Sequence, residues 1–133
     1  FINRNPGSGT RVLLDLELTN RAEKKGTNLK TVIEKINGYE IEAKSHSAVA
    51  AAVAFGRADI GLAIKTVAEH YSLDFIPLRE EKYDFAIPKD RMDKPAVKRF
   101  LDVLHSNELS RKLEKTPGLK TTNETGKIIH SPQ

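Results

Sequence analysis

The opening of the chain places a strand, a glycine-containing loop and a helix in immediate succession, and this order constrains the fold more than any other feature. Residues 1–3 are strand-like and lead into a loop with two glycines. From Thr10 the apolar residues recur at three- and four-residue steps, which predicts a helix over residues 10–25 that ends at Gly26. Strands that alternate with helices are typical of α/β folds, so we expect that class.

The remaining apolar segments continue this alternation. Helical spacing predicts further helices over residues 29–36, 48–55, 64–71, 95–104 and 107–113. Short apolar runs predict strands over residues 39–43, 60–63, 74–78 and 83–87. The sequence therefore predicts an α/β lobe over residues 1–88, with a mixed, mostly parallel sheet flanked by helices. A C-terminal helical segment and tail, residues 89–133, would follow it.

Side chains that can accept a backbone hydrogen bond lie before three of these helices. Thr27 or Asn28 precedes the second helix, Ser45 or Ser47 the third, and Ser106 the last. These residues are the expected caps, and they support the predicted helix starts.

The helix over residues 48–55 is apolar nearly all round, which predicts that it is buried. The neighbouring apolar strands would complete the core around it. We therefore expect six residues to be buried: Val49, Val53, Ile60, Leu62, Phe75 and Ile76.

Composition excludes several function classes. The 133 residues suffice for one compact unit, and the absence of cysteine excludes disulfide scaffolds, thiolate zinc sites and cysteine nucleophiles. The longest apolar run has eight residues, whereas a membrane-spanning helix needs roughly 20. A net charge of +4 with only 6% aromatic residues favours a small anionic partner over nucleic acid. We expect a cytoplasmic protein with no membrane contact and no direct nucleic-acid contact.

The most informative motif is the loop at the start of the first helix. Gly9 lets the backbone approach a ligand, the helix start offers N–H groups, and the hydroxyls of Ser8 and Thr10 add hydrogen bonds. Arg11 adds a positive charge that suits an oxyanion. The alternative is that the glycines only shape a tight turn and Thr10 only caps the helix. The loop lacks the lysine of a P-loop and the third glycine of a dinucleotide-binding motif.

A second candidate contact lies at His46 and Ser47, near the predicted start of the third helix. In an open α/β sheet this helix start would face the same crevice as the first, so that both would contact one anion. The alternative is that the serines only cap the helix and that His46 lies on the surface or in the packing. Catalysis by Ser8, His46 and Asp59 is disfavoured, because no nucleophile elbow surrounds the serine.

One acidic cluster, Glu80, Glu81 and Asp84, has the residue types that bind divalent cations. Arg79 and Lys82 lie among these carboxylates, which is typical of a solvated surface whose charges compensate each other. We therefore expect no metal site.

Five segments of the sequence resemble one known family: FINRNPGSGTRVLLD (1–15), GY (38–39), HSAVAAAVAFGRADIG (46–61), LDFIPL (73–78) and EKYD (81–84). They resemble the periplasmic-binding-protein-like domain related to molybdate-binding proteins, over residues 1–88. The resemblance implies a type II binding-protein fold, in which two α/β lobes surround an anion cleft. In that family the domain often follows molybdopterin molybdenumtransferase modules or a helix-turn-helix.

By position, the resemblance implies that an oxyanion is contacted by Ser8, Gly9, Thr10 and Arg11, with a second contact at His46 and Ser47. Molybdate or tungstate would be the ligand, although sulfate and a pterin phosphate also present tetrahedral oxygens. We expect no catalytic residue, no metal site and no cofactor besides the oxyanion for this stretch.

The family's first-lobe segments would precede Phe1, so the resemblance implies that the chain is a second lobe from a longer protein. One functional class is a ligand-binding module of a molybdenum-cofactor biosynthesis protein, whose enzymatic part would be a molybdopterin molybdenumtransferase. Another is the effector-sensing domain of a molybdate-responsive transcriptional regulator, and a third is the solute-binding lobe of an anion transporter. We expect no enzymatic activity from these residues themselves.

The helix over residues 95–104 carries an apolar face formed by Val97, Phe100, Leu101 and Leu104. In the family fold this face would pack on the first lobe. Because a wide apolar face is unfavourable in water, the helix would either fold back on its own sheet or be covered by self-association, and we favour self-association.

Overall fold

A computed structural model describes residues 1–129 of the chain. These residues belong to two units, Phe1–Ile76 and a second unit that begins at Pro77, so the first unit ends before the predicted division after residue 88. Six α-helices, one short 3-10 helix and two short strands are present in the described part. The element order is compatible with the α/β class, but the sheet is far smaller than predicted.

The sheet of the first unit consists of two parallel strands. β1, Asn3–Arg4, pairs with β2, Glu42–Ala43. On the other side of β1, Ile2 forms an isolated parallel bridge with Gly61, and the Ile2 N–H donates to the carbonyl of Ile60 at 2.9 Å. The segment around β1 is therefore the centre of this layer, with a neighbour on each side.

Four helices complete the first unit: α1, Gly9–Lys24; α2, Leu29–Ile33; α3, His46–Ala54; and α4, Lys65–His70. Ser8, Asn28 and Ser45 cap the first three, because each side-chain oxygen accepts the backbone N–H three residues later. Two of these caps settle the sequence alternatives, in favour of Asn28 over Thr27 and Ser45 over Ser47. The suggestion that Thr10 caps the first helix is wrong, because the helix starts at Gly9 and Ser8 is its cap.

The C-terminal ends of α1 and α2 each have a local cause. α1 ends as predicted, since Gly26 has a φ of +65°, which is the left-handed conformation that a glycine after a helix adopts at little cost. α2 ends at Ile33 and not at Ile36, because the N–H groups of Lys35 and Ile36 bond to carbonyls only three residues back. The chain thus leaves the α-helix in tight turns.

The core lies between the strands and α3. Ile2, Ala43, Val49 and Ala52 form its buried centre, and Val53 packs against them, together with Ala58 and Ala63. The prediction that the helix over residues 48–55 is buried is confirmed for one face only: Val49, Ala50 and Ala52 are buried, whereas Phe55 is 71% exposed.

Other parts of the predicted core are wrong. Ile60, Phe75 and Ile76 have exposed fractions of 56%, 37% and 84%, while Leu62 is half-buried. The strands predicted over residues 60–63, 74–78 and 83–87 do not form. A strand is stable only when its backbone groups pair with a neighbouring segment. Within these three predicted strands, only Ile60 and Gly61 have such a partner among the described residues.

The second unit contains a 3-10 turn, Lys89–Arg91, and two helices, α5, Pro95–Leu104, and α6, Asn107–Lys115. Pro95 opens α5 and Ser106 caps α6, as predicted. Phe100 of α5 packs edge-on against Phe85, with ring centroids 4.9 Å apart. Part of the apolar face of α5 is therefore covered within this unit, and self-association through the remainder stays a prediction.

Two ion pairs join the segment after α6 to the segment before the 3-10 turn. Lys120 binds Glu80 and Lys82 binds Glu124, each with a nitrogen–oxygen distance of 2.7 Å. Glu80 thus takes part in an exposed ion pair, as expected for a solvated surface. In residues 1–129 no helix is both long and apolar enough to cross a membrane.

Candidate functional site

The carboxyl ends of the two parallel strands lie side by side. Arg4, the last residue of β1, is opposite Ala43, the last residue of β2, and the Asn5 N–H donates to the Ala43 carbonyl at 3.3 Å. After β1 the chain enters α1 at Gly9, and after β2 it enters α3 at His46. Both helices therefore begin beyond the same edge of the sheet, which is where open α/β sheets bind ligands.

At the start of α1 the capping bonds begin only at the third residue. The Ser8 hydroxyl accepts the N–H of Arg11 at 3.2 Å, and the Ser8 carbonyl accepts that of Val12 at 3.0 Å. The N–H groups of Gly9 and Thr10 have no acceptor within the helix, as for the first residues of any α-helix. These donors and the positive end of the helix dipole are aimed at the loop.

The start of α3 has the same arrangement. The Ser45 hydroxyl accepts the N–H of Ala48 at 3.0 Å, and the Ser45 carbonyl accepts that of Val49 at 3.1 Å. His46 and Ser47 are the first two residues of the helix. They hold the positions in α3 that Gly9 and Thr10 hold in α1.

The guanidinium of Arg11 is buried in a cluster of its own. Nε donates to both carboxylate oxygens of Asp15 at 3.1 Å, and Nη1 donates to the carbonyl of Arg4 at 3.2 Å. Nη1 also lies 3.6 Å from Glu42, and the guanidinium carbon lies 4.3 Å from the ring centre of Tyr39. The hydroxyl of Tyr39 donates to Asp15. The cluster ties α1, β1 and β2 together directly behind the loop.

The pKa values of Arg11 and Tyr39 both lie above their ordinary values. Burial by itself lowers the pKa of Arg11, but the contact with Tyr39 and the charge of Asp15 outweigh it. Burial is the main cause of the raised pKa of Tyr39, and the hydrogen bond to Asp15 adds to it. Both shifts favour a charged guanidinium beside a neutral phenol.

This cluster predicts a loss of stability in alkaline solution. Because the pKa of Tyr39 is raised in the folded state, its contribution is complete below the ordinary value of 10.0 and is lost as the pH rises through the higher folded value. Urea unfolding from about pH 8 to about pH 11 should show a steeper fall in unfolding free energy for wild type than for Tyr39→Phe. Equal pH slopes in the two proteins would show that the Tyr39 hydroxyl does not contribute.

Arg4 is a buried residue at this edge that the sequence analysis did not single out. Only 9% of its surface is exposed, and its Nη2 donates to the carbonyl of Lys44 at 3.4 Å, one residue before the cap of α3. Its Nε and Nη1 are buried and have no hydrogen-bond partner among the described residues. No carboxylate of residues 1–129 lies within 4.0 Å of this guanidinium.

Asn3 and Asn5 flank Arg4 and differ in how their polar groups are used. The Asn3 side chain is fully buried, accepts the Arg4 N–H at 2.9 Å and donates to the Tyr39 carbonyl at 3.1 Å. It holds the backbone of β1 in place. The Asn5 amide nitrogen donates to Pro6, while Oδ1 is buried without a partner. Unpartnered polar atoms therefore occur in two consecutive residues, which is uncommon in a folded protein.

Comparison with known proteins identifies the domain. The model of the PBP superfamily domain matches residues 1–105. The chain belongs to the PBP superfamily, the periplasmic-binding-protein-like domains. The resemblance predicted from the sequence segments is thereby confirmed at the level of the family. No solved structure matches the chain.

Two curated relatives extend the comparison. An uncharacterized protein from the 5′ region of a 2Fe-2S ferredoxin gene in Clostridium pasteurianum is 40% identical over 95 residues, which are 71% of this chain and 83% of that protein. The uncharacterized protein YvgK of Bacillus subtilis is 36% identical over 129 residues, or 97% of this chain. The chain spans only 38% of the length of YvgK.

Within this PBP-superfamily domain the predicted site residues divide into two groups. Ser8, Gly9 and Thr10 open α1, and His46 and Ser47 open α3, so the topology brings both sets to one sheet edge. The backbone N–H of Arg11 bonds to the cap, and its side chain bonds inward to the cluster behind the loop. In the described residues no group of three or more histidines and carboxylates is placed to hold a metal ion.

Proposed function

We propose that this PBP-superfamily domain binds a small oxyanion at the carboxyl edge of β1 and β2. The observation that carries the proposal is that two parallel strands end side by side and each is followed by the start of a helix. Two helix starts provide several N–H donors and two positive dipole ends, a combination that favours negative charge. Family membership supports a ligand-binding role for the domain.

The proposed contacts are the first residues of the two helices. Gly9 and Thr10 supply backbone N–H groups from α1, and His46 and Ser47 supply them from α3. The hydroxyls of Ser8, Thr10 and Ser47 add donors, since a hydroxyl can donate to a ligand while its oxygen accepts a capping bond. Such a set is rich in donors and therefore suits a ligand whose oxygens only accept.

Molybdate or tungstate is the ligand that we propose first, on the sequence resemblance to molybdate-related domains. Sulfate and a phosphate group have the same tetrahedral arrangement of oxygens, so they are the natural competitors. In the whole protein we propose a ligand-binding module of molybdenum-cofactor biosynthesis, with no catalytic residue among those described. An effector-sensing domain of a regulator would use the same site.

A proline at Gly9 tests the proposal, because it removes one donor and leaves the helix intact. Gly9 is the first residue of α1, where proline is tolerated, and Ser8 before it has the extended conformation that proline requires (φ −72°, ψ 139°). A Cβ at this position meets no atom within 4 Å. Gly9→Ala, which keeps the N–H, is the matched control.

We expect calorimetry to show binding of molybdate or tungstate to the wild type and to Gly9→Ala. Gly9→Pro should bind at least about tenfold more weakly, because one charge-assisted hydrogen bond contributes roughly 1.5–3 kcal/mol. Circular dichroism should show the same helix content for all three proteins. Equal affinity of Gly9→Pro and Gly9→Ala would contradict contact through the start of α1, and a wild type that binds no oxyanion would refute the function.

A further inference from the structure

We infer that Arg4 is the residue that supplies positive charge to the bound anion, and that Arg11 is a positioning residue that holds the loop. This inference rests on the proposed function and assigns its charge recognition. Arg11 is the arginine that the loop motif indicates, whereas Arg4 lies one residue before the loop. The structure gives the two guanidinium groups opposite surroundings.

Two of the three nitrogens of the Arg11 guanidinium already have partners within the protein. Its donors reach a carboxylate of α1, a carbonyl of β1 and the carboxylate of Glu42 in β2, and one face covers the ring of Tyr39. Its bond to the Arg4 carbonyl closes the loop between β1 and α1 into a ring. Turning this side chain toward a ligand would leave the partly buried carboxylate of Asp15 without its positively charged partner. Its contribution to binding is therefore the geometry of the loop.

The guanidinium of Arg4 is buried without compensation. It contacts one carbonyl, that of Lys44, and two of its three nitrogens lack a partner. An arginine side chain carries a positive charge. Burying an unpaired charge is unfavourable, and proteins keep such groups where a ligand completes the pairing. An anion is the ligand that completes it.

The position of Arg4 agrees with the two helix starts. Its own residue ends β1 immediately before the loop of α1, and its Nη2 bonds to the residue that precedes the cap of α3. The head group is thus fixed beside the second helix start while its backbone belongs to the first strand. A single charge in this place would attract an anion that both helix starts contact.

Methionine replacements of the two arginines separate the roles, because methionine keeps an unbranched side chain as far as the position of Nε and removes the guanidinium charge. The measurements are the melting temperature without ligand, the affinity for molybdate and for sulfate, and the dependence of affinity on salt. Arg4→Lys, which keeps a charge, is the conservative variant. All variants are made in the 133-residue chain.

We expect Arg4→Met to melt at the wild-type temperature or higher and to bind at least about 30-fold more weakly, with a flattened salt dependence, since the charge that meets the anion is gone. Arg4→Lys should recover part of the affinity. Arg11→Met should melt roughly 10 °C lower, and its remaining affinity should keep the wild-type salt dependence.

Two results would overturn the inference. One is an Arg4→Met protein with the same anion affinity as a wild type that binds the anion. The other is a melting temperature that falls further for Arg4→Met than for Arg11→Met. A wild type that binds neither anion would instead refute the proposed function. The melting temperatures would then show only which of the two arginines stabilises the fold.

Discussion

Gly61→Ala should lower the free energy of unfolding by about 2–3 kcal/mol, the upper part of the range for an overpacked core. Gly61 pairs with Ile2 at the centre of the layer, and a Cβ built on it overlaps Cγ1 of Val49 and lies 2.8 Å from Cγ2 of Ile2. Val49 is almost fully buried, so it has no free space into which to move. Urea unfolding followed by circular dichroism measures the loss.

Two further variants make this prediction specific. Gly9→Ala adds the same methyl group where no atom lies within 4 Å, and it should leave stability unchanged or slightly raised. In Gly61→Ala with Val49→Ala, the smaller residue at position 49 makes room for the new methyl group. The double variant should therefore lose less than the sum of the two single losses. Strict additivity would show that the two side chains do not collide.

Asp15→Ala should lower the free energy of unfolding by about 3 kcal/mol, the lower end of the range for breaking a buried ion pair. The lower end applies because Asp15 keeps 35% of its side chain exposed. The change removes both acceptors of the Arg11 Nε and the acceptor of the Tyr39 hydroxyl. Arg11 would keep only the longer contact with Glu42 to balance its charge.

Glu23→Ala is the control for Asp15→Ala. Glu23 lies on the same helix and is exposed, so its replacement should change stability by less than about 0.5 kcal/mol. Thermal and urea unfolding of both variants provide the comparison. If Asp15→Ala changed stability as little as Glu23→Ala, the cluster behind the loop would not contribute to the stability of the fold.

The helices and three of their caps were predictable from the sequence, because their causes are local, whereas the cap of α1 is Ser8 and not Thr10. Ser8, Asn28, Ser45 and Ser106 each bond to a backbone N–H three residues away, so the residue types around the helix start are sufficient to indicate it. Gly26 ended α1 for an equally local reason. Where the sequence offered two possible caps for one helix, the backbone geometry decided in favour of Asn28 and Ser45.

The strands were predicted less well, because pairing depends on residues far away in the chain. Residues 74–78 and 83–87 have apolar strand-like patterns, but no neighbouring strand is present for them in the described residues. The burial predicted for Ile60, Phe75 and Ile76 depended on that sheet and failed with it. The pattern of a strand indicates a preference for extended backbone and cannot show whether a partner exists.

The sequence by itself determined the helix starts that form the candidate site, since glycine, serine and their spacing specify where N–H groups are left at the end of a helix. Only the tertiary structure decided how the charges around that site are used. Arg11 stands in the loop motif, yet it bonds to Asp15, Glu42 and the Arg4 carbonyl. Arg4 lies outside the motif and is buried with two nitrogens unpaired. The direction of a long side chain depends on which acceptors the fold brings near it, and those acceptors come from three separate elements of the chain.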